Sequence, residues 1–179
     1  MARQRRFNEL YERHNRAVLA FCLRRTKEPD AYDATSEVFS VAWRRIDDVP
    51  KGEMELAWLF CVAKKVMSRQ WRSARRFQKL VARIGSQPGR SAPDTAAVVV
   101  QRDEYTRVVE AAAQLKPNDL EILRLAAWEG LPHLQISEVL GISVAAVDQR
   151  LHRAKKRLAA VYGEMAEPRS WPAAERDIS

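Results

Sequence analysis

The chain has 179 residues, a formal net charge of +8 at pH 7 and two cysteines. That length suits one large or two small domains, and the sequence pI near 9.9 favours a polyanionic partner. Cys22 and Cys61 stand apart from any CxxC or Cys/His cluster, so neither a disulfide framework nor a structural zinc is indicated, and no metal or cofactor is expected.

The opening "MARQRR" leads into "FNELYERHN" and not into a signal peptide's apolar core, and no run approaches the roughly 18 apolar residues of a spanning helix. A cytoplasmic protein without membrane insertion is expected. The first element, "FNELYERHNRAVLAFCLRR", places Phe7, Leu10, Tyr11, His14, Val18, Phe21 and Cys22 on one helical face, where His14 reads as packed. After a predicted break at "KEPDAYD", the stretch "ATSEVFSVAWRRI" turns Val38, Val41, Ala42 and Ile46 inward. A second break, "DDVPKGE", precedes a long helix whose apolar stripe begins with Leu56, Leu59, Phe60, Ala63, Val66 and Met67. From Lys64 to Arg83 that helix carries eight basic residues and no acid. Like charges on one helix repel, so folding alone does not explain them.

The segment "RIGSQPGRSAPDTAA" has no apolar period and reads as a flexible linker. A second helical block resumes near Val100 with Tyr105, Val108, Val109 and Ala112. Next comes "PNDLEILRLAAWEG", a helix with Pro117 near its start, Leu120, Leu123 and Ala127 on one face, and Gly130 as its stop. The short helix "PHLQISEVL", with Leu134, Ile136, Val139 and Leu140, then meets a turn at Gly141 and Ile142. Gly141 suits the left-handed end of that helix, and Ser143 suits the cap of the next. In "GISVAAVDQRLHRAKKRL" an apolar stripe of Val144, Val147, Leu151, Ala154 and Leu158, continued by Val161, lies opposite Arg150, Arg153, Lys155, Lys156 and Arg157. Three helices ending in a basic one make a helix-turn-helix, whose last helix enters the major groove. The tail "GEMAEPRSWPAAERDIS" reads as mostly disordered. No segment alternates as a strand does, so the fold class is all-α: two small helical domains joined by a flexible linker.

Three stretches in this order carry a family resemblance: "DAYDATSEVFSVAWRRIDDVP", "AWLFCVAKKVMSRQWRSARR" and "LEILRLAAWEGLPHLQISEVLGISVAAVDQRLHRAKKRL". The chain resembles an extracytoplasmic-function sigma factor of the bacterial sigma-70 family. The resemblance implies region 2 over residues 1–80, a linker over 81–101, region 4 over 102–163 and a tail over 164–179. It also implies a non-enzymatic transcription initiation factor that binds core RNA polymerase at the β′ clamp helices and the β flap, binds promoter DNA, and is held by an anti-sigma factor.

Residue by residue, the resemblance places core-polymerase binding on Asp33, Glu37, Val38, Phe39 and Trp43, with core packing as the other reading of Phe39 and Trp43. It places minus-ten DNA on Lys64, Lys65, Arg69, Trp71, Arg72, Arg75 and Arg76. Cations between aromatic platforms suit capture of a single strand and an unstacked base. Lys65 stands where the family commonly has asparagine. In the recognition helix, Asp148, Gln149, His152 and Arg153 match groove-facing positions, and Ser143, Arg150 and Lys156 match phosphate-facing ones. Asp148 replaces a frequent basic residue and offers an acceptor to the cytosine amino group. Thr35 and Ser36 also depart from the family pattern, either as phosphorylation sites on the polymerase-facing helix or by drift. The competing class is a LuxR-like helix-turn-helix regulator acting without polymerase, and it leaves the first block unexplained.

Overall fold

The computed structural model describes residues 1–83 and 102–166, and every regular element among them is a helix. The first block consists of α1 (Ala2–Leu23), α2 (Glu28–Arg44) and α3 (Met54–Arg83), each packed on the other two. The predicted break before the second helix shrinks to a few residues. Pro29 fits the first turn of α2, where its missing N–H has no helical partner to lose, and Glu28 and Asp30 favour the positive helix start.

Val18, Phe21 and Cys22 of α1 meet Val38 and Ala42 of α2 and Leu59, Phe60 and Ala63 of α3 in one buried core. Phe21 and Phe60 stack with ring centroids 4.2 Å apart. At the outer end, Phe7 meets Trp43 edge-on at 5.2 Å, and Tyr11 meets Phe39 at 4.8 Å. Tyr11 remains exposed, because it lies at the margin of the stripe.

The second block is α4 (Arg102–Ala113), α5 (Pro117–Ala127), α6 (His133–Leu140) and α7 (Val144–Ala166). α7 packs against α4, α5 and α6. The buried face of α5 is formed by Ile122, Leu123 and Leu125; of the predicted row Leu123 is buried, Leu120 is half-buried against the core and Ala127 is exposed. A short helix held between α6 and α7 buries a wider arc than one stripe, and periodicity alone did not locate its centre. Leu134 likewise points outward. α7 continues to Ala166, beyond the predicted start of the tail, while the predicted linker from residue 84 and the tail from residue 167 lie outside the described residues.

The two blocks touch. α6 lies across α3, and the buried residues of both blocks form one continuous cluster. No helix among the described residues is long and apolar enough to cross a membrane.

Candidate nucleic-acid interface

The turn before α7 is built from two short-range devices. Gly141 takes φ 64° and ψ 41°, a left-handed conformation that carries no side-chain clash in glycine, and Ile142 N–H returns to the Ser137 carbonyl at 3.1 Å. Ser143 Oγ then accepts from Ala146 N–H at 3.2 Å, capping α7 as the sequence implied. Val147, Leu151 and Ala154 are buried on the inner face, whereas Asp148, Gln149, Arg150, His152, Arg153 and Lys156 are all exposed. Asp148, Gln149, His152 and Arg153 together line one shallow, open groove. Two ties fix this helix further: Arg157 bonds Asp119 of α5 at 2.5 Å, and His133 Nδ1 of α6 meets Asp148 at 2.5 Å. Asp148 therefore already has a cationic or hydrogen-bonding partner within the protein.

On α3, Lys65, Arg69, Trp71 and Arg72 are exposed along the helix. Arg69 is ion-paired with Glu37 of α2, and Arg72 Nε donates to the Ser68 carbonyl at 3.1 Å. Lys64 differs: half-buried, it donates to the Val139 carbonyl at 3.0 Å, near the negative end of α6. Burial holds its pKa below the ordinary value, with Glu121 acting in the opposite sense. Arg75 and Arg76 lie on α3, and their side chains fall outside the described ones.

On α2, Asp33 is exposed, Glu37 is half-buried and Trp43 is partly exposed beneath the Arg3 guanidinium. Val38 and Phe39 face the core, at 0% and 4% exposure. Core packing is thus where the structure places Phe39, and Val38 with it. Thr35 Oγ1 donates to the Ala31 carbonyl at 2.8 Å, while Ser36 is exposed. Beside this helix, His14 is 3.0 Å from Glu55, which also accepts from Arg13 at 2.8 Å. Burial alone would raise the Glu55 pKa, but these donors outweigh it and hold the carboxyl below its ordinary value.

Residues 10–77 match Sigma-70 region 2, and residues 105–158 match Sigma-70, region 4. The chain belongs to the sigma-70 family. It is similar to the RNA polymerase sigma factor CnrH of Cupriavidus metallidurans, at 30% identity over 167 residues, covering 88% of this chain and 87% of that one. It is also similar to the ECF RNA polymerase sigma factor SigL of Mycobacterium tuberculosis, at 28% identity over 164 residues, covering 89% of this chain and 90% of that one. Among solved structures, CnrH in complex with the cytosolic domain of CnrY matches 90% of each chain at 26% identity, with a TM-score of 0.60. The sigma factor RpoE in complex with the anti-sigma factor NepR from Bartonella quintana shares the fold, with a TM-score of 0.65 at 20% identity over 88% of this chain and 96% of that one. This sigma factor is of the extracytoplasmic-function type, an alternative factor that directs transcription initiation. A LuxR-like regulator is not favoured, because region 2 accounts for the first block.

One part of this sigma factor was not anticipated from sequence: the junction between regions 2 and 4. Arg24 and Arg25, at the end of α1, reach across to Glu121 of α5 and to Glu129, just beyond it. The Arg25 and Glu129 side chains are 5% and 2% exposed, and Arg25 Nη1 to Glu129 is 2.8 Å. Gln135 donates to the Glu53 carbonyl at 2.9 Å, and the Cys61 thiol, kept protonated by burial, points at the Glu138 carbonyl. The partners in the ion-pair cluster are about a hundred positions apart in the chain. No local spacing marks such a pair, so only the tertiary arrangement reveals it.

Proposed function

We propose that this sigma factor binds core RNA polymerase, grips minus-thirty-five DNA with α7 and captures the opened minus-ten strand with α3. Region 2, over residues 1–80, and region 4, over residues 102–163, act in the cytoplasm by binding alone and perform no chemistry of their own. The observation that carries the reading is the single exposed strip of α7: Asp148, Gln149, His152 and Arg153 share it while Val147, Leu151 and Ala154 anchor the opposite face. Arg153 is suited to guanine and Gln149 to adenine, and Ser143, Arg150 and Lys156 supply contacts to phosphate.

On region 2, Lys65, Arg69, Trp71 and Arg72, continued by Arg75 and Arg76, offer cations around one aromatic platform. Lys64 joins them once α6 moves away, because its ammonium is engaged with the Val139 carbonyl. Asp33, Glu37 and Trp43 are the polymerase-facing groups on α2, and Val38 and Phe39 support them from within the core. The CnrH structure contains the cytosolic domain of another protein, and the RpoE structure contains an anti-sigma factor. By likeness, a protein inhibitor covers this sigma factor until a signal releases it.

Run-off transcription with purified core polymerase and a pool of genomic promoter fragments tests the reading. Promoter-specific transcripts are the expected result. An absence of transcripts together with a failure to co-elute with core polymerase would sink it.

A further inference from the structure

A cavity of about 320 Å³ opens at the junction of regions 2 and 4. Four cationic side chains line it: Arg25 and Lys64 from region 2, Arg124 and Arg150 from region 4. Glu121 is the one acid among the lining residues, and its carboxylate already accepts from Arg25 at 3.1 Å. Trp71 forms part of the wall and is 52% exposed, so an indole face is available at the solvent side. The α5 N-terminus, at Pro117 and Asn118, also borders the space and adds the positive end of a helix dipole.

The second observation is Arg25 itself. Its side chain is 5% exposed, yet Nη2 has no hydrogen-bond partner among the described residues. A buried guanidinium N–H left unmatched is costly, and Arg25 keeps its positive charge at the wall of the cavity. The electrostatic surroundings have the same sign. Burial depresses the pKa of both Lys64 and Arg124, whose positive charges are only partly offset by neighbouring glutamates. Promoter DNA does not fit this description, since half of the cations belong to each region and they border one compact pocket, not a track along a strand.

We propose that this junction is a binding site for a small polyphosphorylated anion, with phosphate oxygens held by Lys64, Arg124 and Arg150 and with Arg25 adding positive charge from the wall. Free pyrophosphate and a nucleoside diphosphate share that chemistry, and the nucleotide adds a base that can stack on Trp71. Because the cations come from both regions, the ligand binds only while the regions are docked. It therefore shifts the population towards the docked arrangement, by about a hundredfold at a hundred times its Kd. Lys64 and Trp71 are then withheld from DNA.

Binding to the full chain is measured by calorimetry at fixed ionic strength, with sodium pyrophosphate and ADP as separate probes. The expected result is one saturable site, weakened roughly 10- to 100-fold in Arg124→Gln, the loss of one charge-assisted contact. Pyrophosphate equal to ADP assigns the site to a bare polyphosphate; tighter ADP binding that Trp71→Phe reduces assigns it to a nucleotide. No saturable binding of either probe overturns the proposal, as does unchanged binding in a folded Arg124→Gln protein. Arg150→Gln, a change at an exposed side chain, supplies the same comparison if Arg124→Gln does not fold. The assay contains no polymerase, so its failure leaves the transcription reading untouched.

Discussion

Glu55 is an example of a single buried carboxylate whose partners decide its behaviour. With a side chain 11% exposed, it is stabilised as an anion by His14 and Arg13. Its pKa in the folded protein lies below the ordinary 4.5, so unfolding takes up a proton at acid pH. The stabilisation is complete above that ordinary value and fades as the pH falls through the folded one. Glu55→Gln should cost roughly 1–3 kcal/mol at neutral pH, with the gap from wild type narrowing below pH ~4 in denaturant titrations. At the recognition helix, Arg153→Ala should lose about 1–3 kcal/mol of discrimination at one base pair, whereas Lys156→Ala should weaken all sequences alike. Competition binding across a library of single-base minus-thirty-five variants separates the two outcomes. The carboxylate of Asp148 was legible as an anomaly in a basic helix; its partner His133, 15 positions earlier and in another helix, was not.

Among the elements, the helix-turn-helix was the most legible, because its signals are local. Gly141 and Ser143 act within one turn of themselves, and both behave as their residue types require. Ser143→Ala should cost about 1 kcal/mol through the lost cap, and Gly141→Ala about 1–2 kcal/mol through a left-handed φ that alanine resists. Thermal melts of the full chain, with helix content as the readout, check both. The faces of α1 and α3 were also readable from their long apolar stripes. α5 was not: with 11 residues and two neighbours, it buries Ile122 and Leu125 outside the expected row. α2 presented a different difficulty. Apolar groups at helical spacing look alike whether they meet the core or a partner, and only the folded arrangement shows Val38 and Phe39 buried among α1 and α3.

For the whole molecule, the consequential feature is the docking of region 4 on region 2. Arg24 and Arg25 face Glu129, and removing Glu129 leaves the buried Arg25 with Glu121 as its one remaining carboxylate, while Arg24 is open to solvent on one side. Glu129→Ala should therefore destabilise the docked arrangement by about 1–3 kcal/mol while each region keeps its helices. Fluorescence energy transfer between labels placed on α2 and α7 should drop in that variant, with helical circular dichroism preserved. Unchanged transfer would show that the α3–α6 contact suffices without the ion pairs. Opening should also raise the affinity of α3 for single-stranded DNA, since Lys64 is then released from Val139.

Helical class, the division into two helical blocks and the basic character of α3 and α7 follow from composition and from repeats of three and four residues along the chain. These are properties of near neighbours, and any fold that uses those helices must respect them. Which side of α5 is buried, whether Phe39 faces in or out, and the partners of Asp148, Lys64 and Arg25 depend instead on distant segments brought together by packing. An ion pair across about a hundred residues has no period to detect, and a half-exposed lysine looks the same in sequence whether it meets water, DNA or the end of another helix. Burial and proximity are properties of the assembled core, and they alone turn those residue types into a junction.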